Sequence, residues 1–173
     1  MSQVTIIENN PRDFAPRWSR MFGMCDHAVF FSQAPANPFH KLAHALHGTP
    51  PTVFAGGETA TEVARRVYAQ CPKPADGPTR LLVDGDMKIG DEEAKALMLE
   101  FLTPLHKHLN LSALICTADQ GIPLGAARVA HNLEIATHVF LSASLFGQSQ
   151  NIVSRITGEA PLWEEPSEFE NAP

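Results

Sequence analysis

The stretch ICTADQGIPLGAARVAHN, residues 115–132, decides the fold. A short apolar run, Leu114-Ile115-Cys116, leads into Thr117-Ala118-Asp119-Gln120-Gly121, and an alanine-rich amphipathic segment follows at once. An apolar run of that length bounded by turn residues reads as a strand, and the segment behind it as a helix. Strand, tight turn and helix make the unit from which parallel sheets are built. In many proteins of that class the turn holds a phosphate or a nucleotide. Here it either holds a ligand or only turns a corner of the fold.

Outward from this unit the same alternation recurs. HAVFFS (27–32), TVFA (52–55), RLLVDG (80–85), SALICTA (112–118) and THVFLSA (137–143) read as strands. In NPFHKLAHALHG (37–48), Asn37 can cap a helix, Pro38 suits its first position and Gly48 its end. After Gly56-Gly57, Thr59 and Glu62 stand three apart as a capping box. DEEAKALMLEFLTPLHKHL (91–109) carries apolar residues at 94, 97, 98, 101, 102 and 105, which is helical spacing. Asp91 is expected to cap that helix, and Pro104 to kink it or start a new turn. IPLGAARVAHNL (122–133) and SLFGQSQNIVSRI (144–156) read as two more helices. Such alternation predicts an α/β fold in three layers, with a mostly parallel sheet of about five strands and helices on both faces.

One such domain is expected over residues 27–158. Residues 1–26 read as an N-terminal arm or short helix, PKPADGP (72–78) as an internal linker, and residues 159–173 as an acidic, Pro-rich solvated tail. The whole chain of 173 residues can bury a full core without staples. Its net charge of −6 speaks against general nucleic-acid binding, which needs a basic face. Cys25, Cys71 and Cys116 are odd in number and far apart, so reduced thiols are expected. Neither a signal peptide nor an 18-residue apolar run is visible, and a cytoplasmic protein with no membrane partner is expected.

Ligands of parallel sheets bind beyond the C-terminal ends of the strands. That rule places three loops on one rim: Gly56-Gly57-Glu58-Thr59, Asp84-Gly85-Asp86 and Thr117-Asp119-Gln120-Gly121. Glycines after a strand let backbone N–H groups approach an anion, and Glu58 can bind ribose hydroxyls. The same residues also make a tight turn and a capped helix. Asp84, Asp86 and Asp91 fit a magnesium or hydroxyl site, or else a polar loop. His40, His44 and His47 fall on one flank of a helix, where they can bind a divalent metal or lie solvated. His106 and His108, at the end of the long helix, are expected to serve its structure. Cys116, inside a strand, is expected to be inert, and no G-x-S-x-G nucleophile elbow is present.

Residues 80–143, from RLLVDGDMKIGDEE to ATHVFLSA, resemble the SLOG superfamily. These are Rossmann-like domains that include DprA-type proteins and the lonely-guy phosphoribohydrolases. The nearest branch looks like the small phage- and plasmid-borne SLOG domains. The shared frame is Asp84-Gly85-Asp86, then Asp91, then residues 117–123, with Ala126, Ala127, Arg128 and Ala130 in the helix. The resemblance implies a Rossmann-like sandwich whose turn cradles nucleotide phosphates or sugars. The chain departs from the family pattern at Thr117-Ala118, where twin glycines are expected, at Gln120 for an arginine and at Pro123 for an acidic residue. AGGETATEVA (55–64) only echoes the hydrolase motif of the lonely-guy enzymes.

Three functions follow as expectations. The first is a binding protein or sensor for a nucleotide-derived small molecule. The second is a nucleotide or nucleoside hydrolase using Glu58, Asp84 or Asp119 as acid or base. The third is an interaction module whose pocket has degenerated. A free edge strand and apolar helix surface also allow a homodimer. No cofactor is indicated by any motif.

Overall fold

The computed structural model describes residues 3–7, 14–32, 50–70, 79–141 and 147–158. Six strands are seen among them: β1 (Val4–Ile7), β2 (His27–Ser32), β3 (Thr52–Gly56), β4 (Thr79–Gly85), β5 (Leu111–Cys116) and β6 (Ala136–Phe140). Five helices are α1 (Phe14–Met24), α2 (Ala60–Gln70), α3 (Asp91–Leu109), α4 (Ile122–Asn132) and α5 (Ser149–Thr157). The strands form one sheet in the order β1-β6-β5-β4-β2-β3, and every neighbouring pair is parallel. The fold is a Rossmann-like α/β sandwich.

The sixth strand comes from the segment expected to be an arm or short helix. Residues 4–7, Val-Thr-Ile-Ile, are three parts β-branched aliphatic, and they pair with β6 from Val4↔Thr137 to Ile7↔Phe140. Four residues with no cap or alternation give little signal alone, so the strand is legible only once β6 offers it an edge. Of the two alternatives, arm or short helix, residues 14–24 form a helix, and it packs on the sheet.

The two faces are unlike. Val29, Phe31, Val53, Leu81, Val83, Leu114, Cys116 and Val139 face α2, α3, α4 and α5 in one large core. On the other face Trp18, Met21 and Phe22 of α1 pack on Ala28, Phe30, Leu82, Ile115 and Phe140. Strand residues alternate between the cores because successive side chains point to opposite faces. Strands buried on both sides must be apolar almost throughout, which is why the sequence shows continuous runs here. Phe101 of α3 meets Phe31 edge-on at 5.0 Å, a contact that contributes about 0.5–1.5 kcal/mol beyond the burial itself.

Connections running toward the β3 edge and toward the β1 edge use opposite faces. The β1-to-β2 connection carries α1 on one face. Those from β3 to β4, β4 to β5 and β5 to β6 carry α2, α3 and α4 on the other. Opposite direction on the opposite face means one constant hand, as parallel crossovers require.

Helix ends follow local chemistry. Thr59 and Glu62 form the expected capping box, with Glu62 N–H donating to Thr59 Oγ1 at 3.2 Å and Thr59 N–H to Glu62 Oε1 at 3.3 Å. α3 runs unbroken through Pro104. That proline is exposed, so water can satisfy the carbonyl it leaves unbonded. α3 ends at Asn110, left-handed at φ 54°, and Leu111 N–H donates to His106 Nδ1 at 3.0 Å. His106 thus serves the turn into β5 as an acceptor, while the His108 ring meets the Tyr68 ring at a tilt of 44°, centroids 4.3 Å apart. No helix among the described residues is long and apolar enough to cross a membrane. His40, His44 and His47, Cys71, the helix expected at 37–48, the linker and the C-terminal tail lie outside the described residues.

Candidate functional site

β2 leads outward to β3, whereas its neighbour β4 leads the opposite way to β5. The sheet's switch point therefore lies between β2 and β4, and parallel sheets bind ligands beyond the C-terminal ends of strands at such a point. Ser32 ends β2, Asp84 and Gly85 end β4, and Thr117 follows β5 next door.

Asp84 pairs with Phe30 and Gly85 with Phe31. Leu82 belongs to the α1 core and Val83 to the other. Alternation then turns Asp84 toward the α1 face. The same reasoning from Ile115 and Cys116 turns Thr117 toward that face, and Ala118 falls in the opposite core as it should. Leu82 pairs with Ile115. Continuing that register by two residues sets Thr117 beside Asp84, one strand spacing or about 4.8 Å apart along the sheet.

These polar groups are deeply buried. Thr117 is 2% exposed, Ser32 3% and Asp84 8%. One Asp84 oxygen accepts Gly85 N–H at 2.8 Å. Thr117 Oγ1 has no hydrogen-bond partner among the described residues. A buried hydroxyl left unpaired costs about 1–3 kcal/mol. Trp18 Nε1, His27 Nδ1 and Thr79 Oγ1 are likewise buried without a hydrogen-bond partner among the described residues.

The turn after Thr117 is strained. Ala118 sits at φ 55° and Gly121 at φ 82°. The left-handed geometry that a glycine would ease is kept with alanine at 118, at a cost of about 1–3 kcal/mol. Gly85 answers a different need. A Cβ there would lie 2.4 Å from the Phe31 carbonyl oxygen, so the glycine permits the close approach of β2 and β4.

Asp91 does not cap α3. The N-cap is Gly90, with no side-chain cap bond, and Asp91 is the first helical residue. Its carboxylate instead reaches the neighbouring unit and accepts Gly121 N–H at 3.0 Å. A side chain at the first helical position points back toward the N-terminus, and here that direction leads to the start of α4. Asp84 and Asp91 therefore bond to different loops. Among the described residues no three His, Cys, Asp or Glu side chains gather in a group able to hold a metal.

The Gly56-Gly57 turn lies apart. β3 is the edge strand, and β2 stands between it and β4. Strand spacing alone puts its end about 10 Å from that of β4 and about 14 Å from that of β5. Glu58 accepts Gly56 N–H at 2.9 Å and is ion-paired with Arg66, whose guanidinium also donates to the Phe54 carbonyl at 3.2 Å. The Gly56 N–H bond, reinforced by Arg66, holds the Glu58 carboxyl below the usual carboxylate range. Its surroundings commit Glu58 to the turn and to the sheet edge.

Cys116, expected to lie inert inside a strand, is buried in β5, and Cys25 is buried as well. Desolvation pushes Cys116 and Cys25 up to about 12, and for Cys116 the nearby charges of Asp84 and Asp119 add to the effect. Asp119 O accepts Leu124 N–H at 2.8 Å, while Gln120 is exposed at the turn.

No family model, no curated protein and no solved structure matches this chain. Its site is therefore defined by its own geometry.

Proposed function

We propose that this chain is a binding protein or sensor for a nucleotide-derived small molecule, held in the crevice between the ends of β2, β4 and β5. The carrying observation is the buried, unpartnered hydroxyl of Thr117 beside the buried Asp84. Buried polar groups in native proteins find partners, and the partner Thr117 lacks in the chain is one a ligand can supply. Three further points support the reading. The crevice lies at the switch point of the sheet. The turn beside it stores backbone strain at Ala118, as binding sites do. The SLOG-like frame of residues 80–143 centres on the same two loops.

Gly85, Asp86, Asp119, Gln120 and Gly121 flank the crevice, and Gly56-Gly57-Glu58-Thr59 forms an outer element two strands away. The hydrolase reading loses Glu58, whose carboxylate is already engaged with Arg66 and Gly56. A thermal-shift panel of nucleosides, nucleotides, cyclic nucleotides and ADP-ribose tests the proposal. A ligand at a hundred times its Kd raises the unfolding free energy by about 2.7 kcal/mol, a rise of several degrees in Tm. Flat curves across the whole panel would reject binding and favour an interaction module.

A further inference from the structure

We propose that the outer edge of β1 is the surface through which two copies of this chain pair, strand against strand, about a two-fold axis at Thr5. β1 stands at one end of the sheet with β6 on its inner side. Thr137 N–H donates to the Gln3 carbonyl and Leu141 N–H to the Ile7 carbonyl, with Val4 level with Thr137. In a parallel ladder this phase turns residues 3, 5 and 7 toward β6 and leaves the N–H and C=O groups of Val4 and Ile6 pointing outward.

The two edges of the sheet are treated differently. Native sheets blunt an edge with charge, proline or a bulge. β3 carries Glu58 and Arg66 on its outer side, bonded to the Gly56 N–H and the Phe54 carbonyl. β1 reads Val-Thr-Ile-Ile, without charge or proline; its register with β6 runs without a shift, and all four residues are partly exposed. The uncharged surface continues beyond the strand. The helices over the larger core touch in chain order, α2 on α3, α3 on α4 and α4 on α5, which puts α5 at the β1 end. Across β1 and α5, Arg155 is the one charged side chain.

A second copy fits this edge in charge and in register. The chain carries a net charge of −6, so two copies repel except where they meet through a surface free of acidic groups. Such a surface gives no steering to a partner recognised by charge. Antiparallel pairing centred on Thr5 sets Val4 opposite the partner's Ile6 and Ile6 opposite the partner's Val4. Each such pair exchanges two N–H···O=C bonds, so every outward group of Val4 and Ile6 is satisfied. Thr5 then meets the partner's Thr5 in the closer, non-hydrogen-bonded position, where threonine pairs are favourable. The Val4 and Ile6 side chains lie against the larger core, and the pairing joins the two cores along one continuous sheet. Such a contact is isologous and closes at the dimer. β1 is two strands from β5, so this pairing and the ligand reading stand or fall separately.

The test is sedimentation equilibrium of the full chain and of Thr5→Lys, Thr5→Glu and Ile6→Pro, with circular dichroism checking that each is folded. A four-residue strand is a short contact, so a weak dimer is expected, with a Kd on the order of 100 μM. Thr5→Lys sets two ammonium groups opposite each other on the axis, and Thr5→Glu two carboxylates. Each alone should dimerise about tenfold more weakly than the parent. An equal mixture of the two should pair at least as tightly as the parent, a rescue that a folding defect cannot produce. Ile6→Pro removes an outward N–H and no bond to β6, and an edge strand tolerates proline in that position. Two bonds per dimer are lost, so it too should pair about tenfold more weakly. A parent chain that stays monomeric at about 1 mM overturns the proposal. So does a dimer that the variants leave unchanged, a Lys and Glu mixture that pairs no better than either alone, or growth of the parent beyond the dimer.

Discussion

Glu58 and Arg66 close the outer edge of β3. Ala28 N–H donates to the Pro51 carbonyl, and Ala28 pairs with Thr52. In a parallel ladder this phase turns residues 51, 53 and 55 toward β2 and residues 52, 54 and 56 outward. The outward carbonyl of Phe54 accepts from Arg66, and the outward N–H of Gly56 donates to Glu58, while the two side chains pair with each other. An exposed edge strand is a template for pairing with another chain, and charged side chains laid along it remove that template.

Replacing either partner should therefore change association more than stability. Both side chains are partly exposed, Arg66 at 41%, so solvent screening limits the pair to about 0.2–1 kcal/mol. Glu58→Ala and Arg66→Ala should shift the urea midpoint by no more than that. Both should self-associate in sedimentation velocity at concentrations where the parent chain does not. Variants that sediment like the parent at every concentration would show that the edge is guarded by something else.

Stability should fall as the solution is acidified, in two stages. Burial lowers the histidines His27 and His138 below their ordinary 6.5, with Asp26 partly opposing this at His27. The unfolded chain then binds more protons below pH 6.5, and unfolding is favoured as pH drops. The second stage belongs to the carboxylates. Glu58 is lowered from 4.5 by the Gly56 N–H and Arg66, whereas Asp26 is lowered from 3.8 because its Arg80 hydrogen bonds outweigh an opposing desolvation. A depressed carboxyl contributes stability above its unfolded value and loses it as pH falls through the folded one. Tm measured from pH 7 to 3 should thus drop first below 6.5 and again below about 4.5, and Glu58→Gln should flatten the second drop.

Most of the fold was legible because both faces of the sheet are buried. β2 and α3 fall where composition and spacing place them, since HAVFFS is a short β-branched and aromatic run and α3 repeats its apolar residues at helical spacing. β1 was not legible: four residues carry no period, and their strand state is conferred by β6. The candidate site was half legible. The strand-end rule put the Gly56-Gly57, Asp84-Gly85-Asp86 and Thr117–Gly121 loops on one rim, but sequence counts strands without ordering them. It could not show that β2 separates Gly56-Gly57 from the rest. Nor could it show the Asp91 bond to Gly121, because a carboxylate at a helix start reads as a local cap, and its real partner is brought near only by packing.

Gly125 is the residue that makes that packing possible, and its role is space rather than backbone freedom. Gly125→Ala places a methyl 2.8 Å from the Ala94 carbonyl carbon and 2.9 Å from its oxygen, both backbone atoms that cannot rotate away. Helices α3 and α4 must separate. Overpacking of this kind costs about 1–3 kcal/mol, against a gain in helix propensity of about 1 kcal/mol. A net destabilisation of up to about 2 kcal/mol in urea is expected, with faster amide exchange at Gly121 as the Asp91 bond loosens. A variant more stable than its parent would mean that the two helices part freely.

Thr117 offers the sharpest division between a site and an accident of packing. Valine has the same shape without the hydroxyl, so Thr117→Val removes a buried group that has no partner among the described residues. If the hydroxyl only sits unpaired, its loss relieves desolvation. The ligand-free protein should then gain about 1 kcal/mol and several degrees in Tm. If it binds a ligand, the same variant should also lose the ligand-induced rise, because the ligand's own polar group would then be buried unpaired. Both effects are expected together: higher Tm alone, lower Tm in the presence of ligand. Scanning calorimetry of the two proteins, with and without the best ligand of the panel, reads both at once. A Thr117→Val protein that keeps the full ligand response removes the hydroxyl from the site, and one that loses Tm without ligand shows that the hydroxyl is already satisfied in the folded chain.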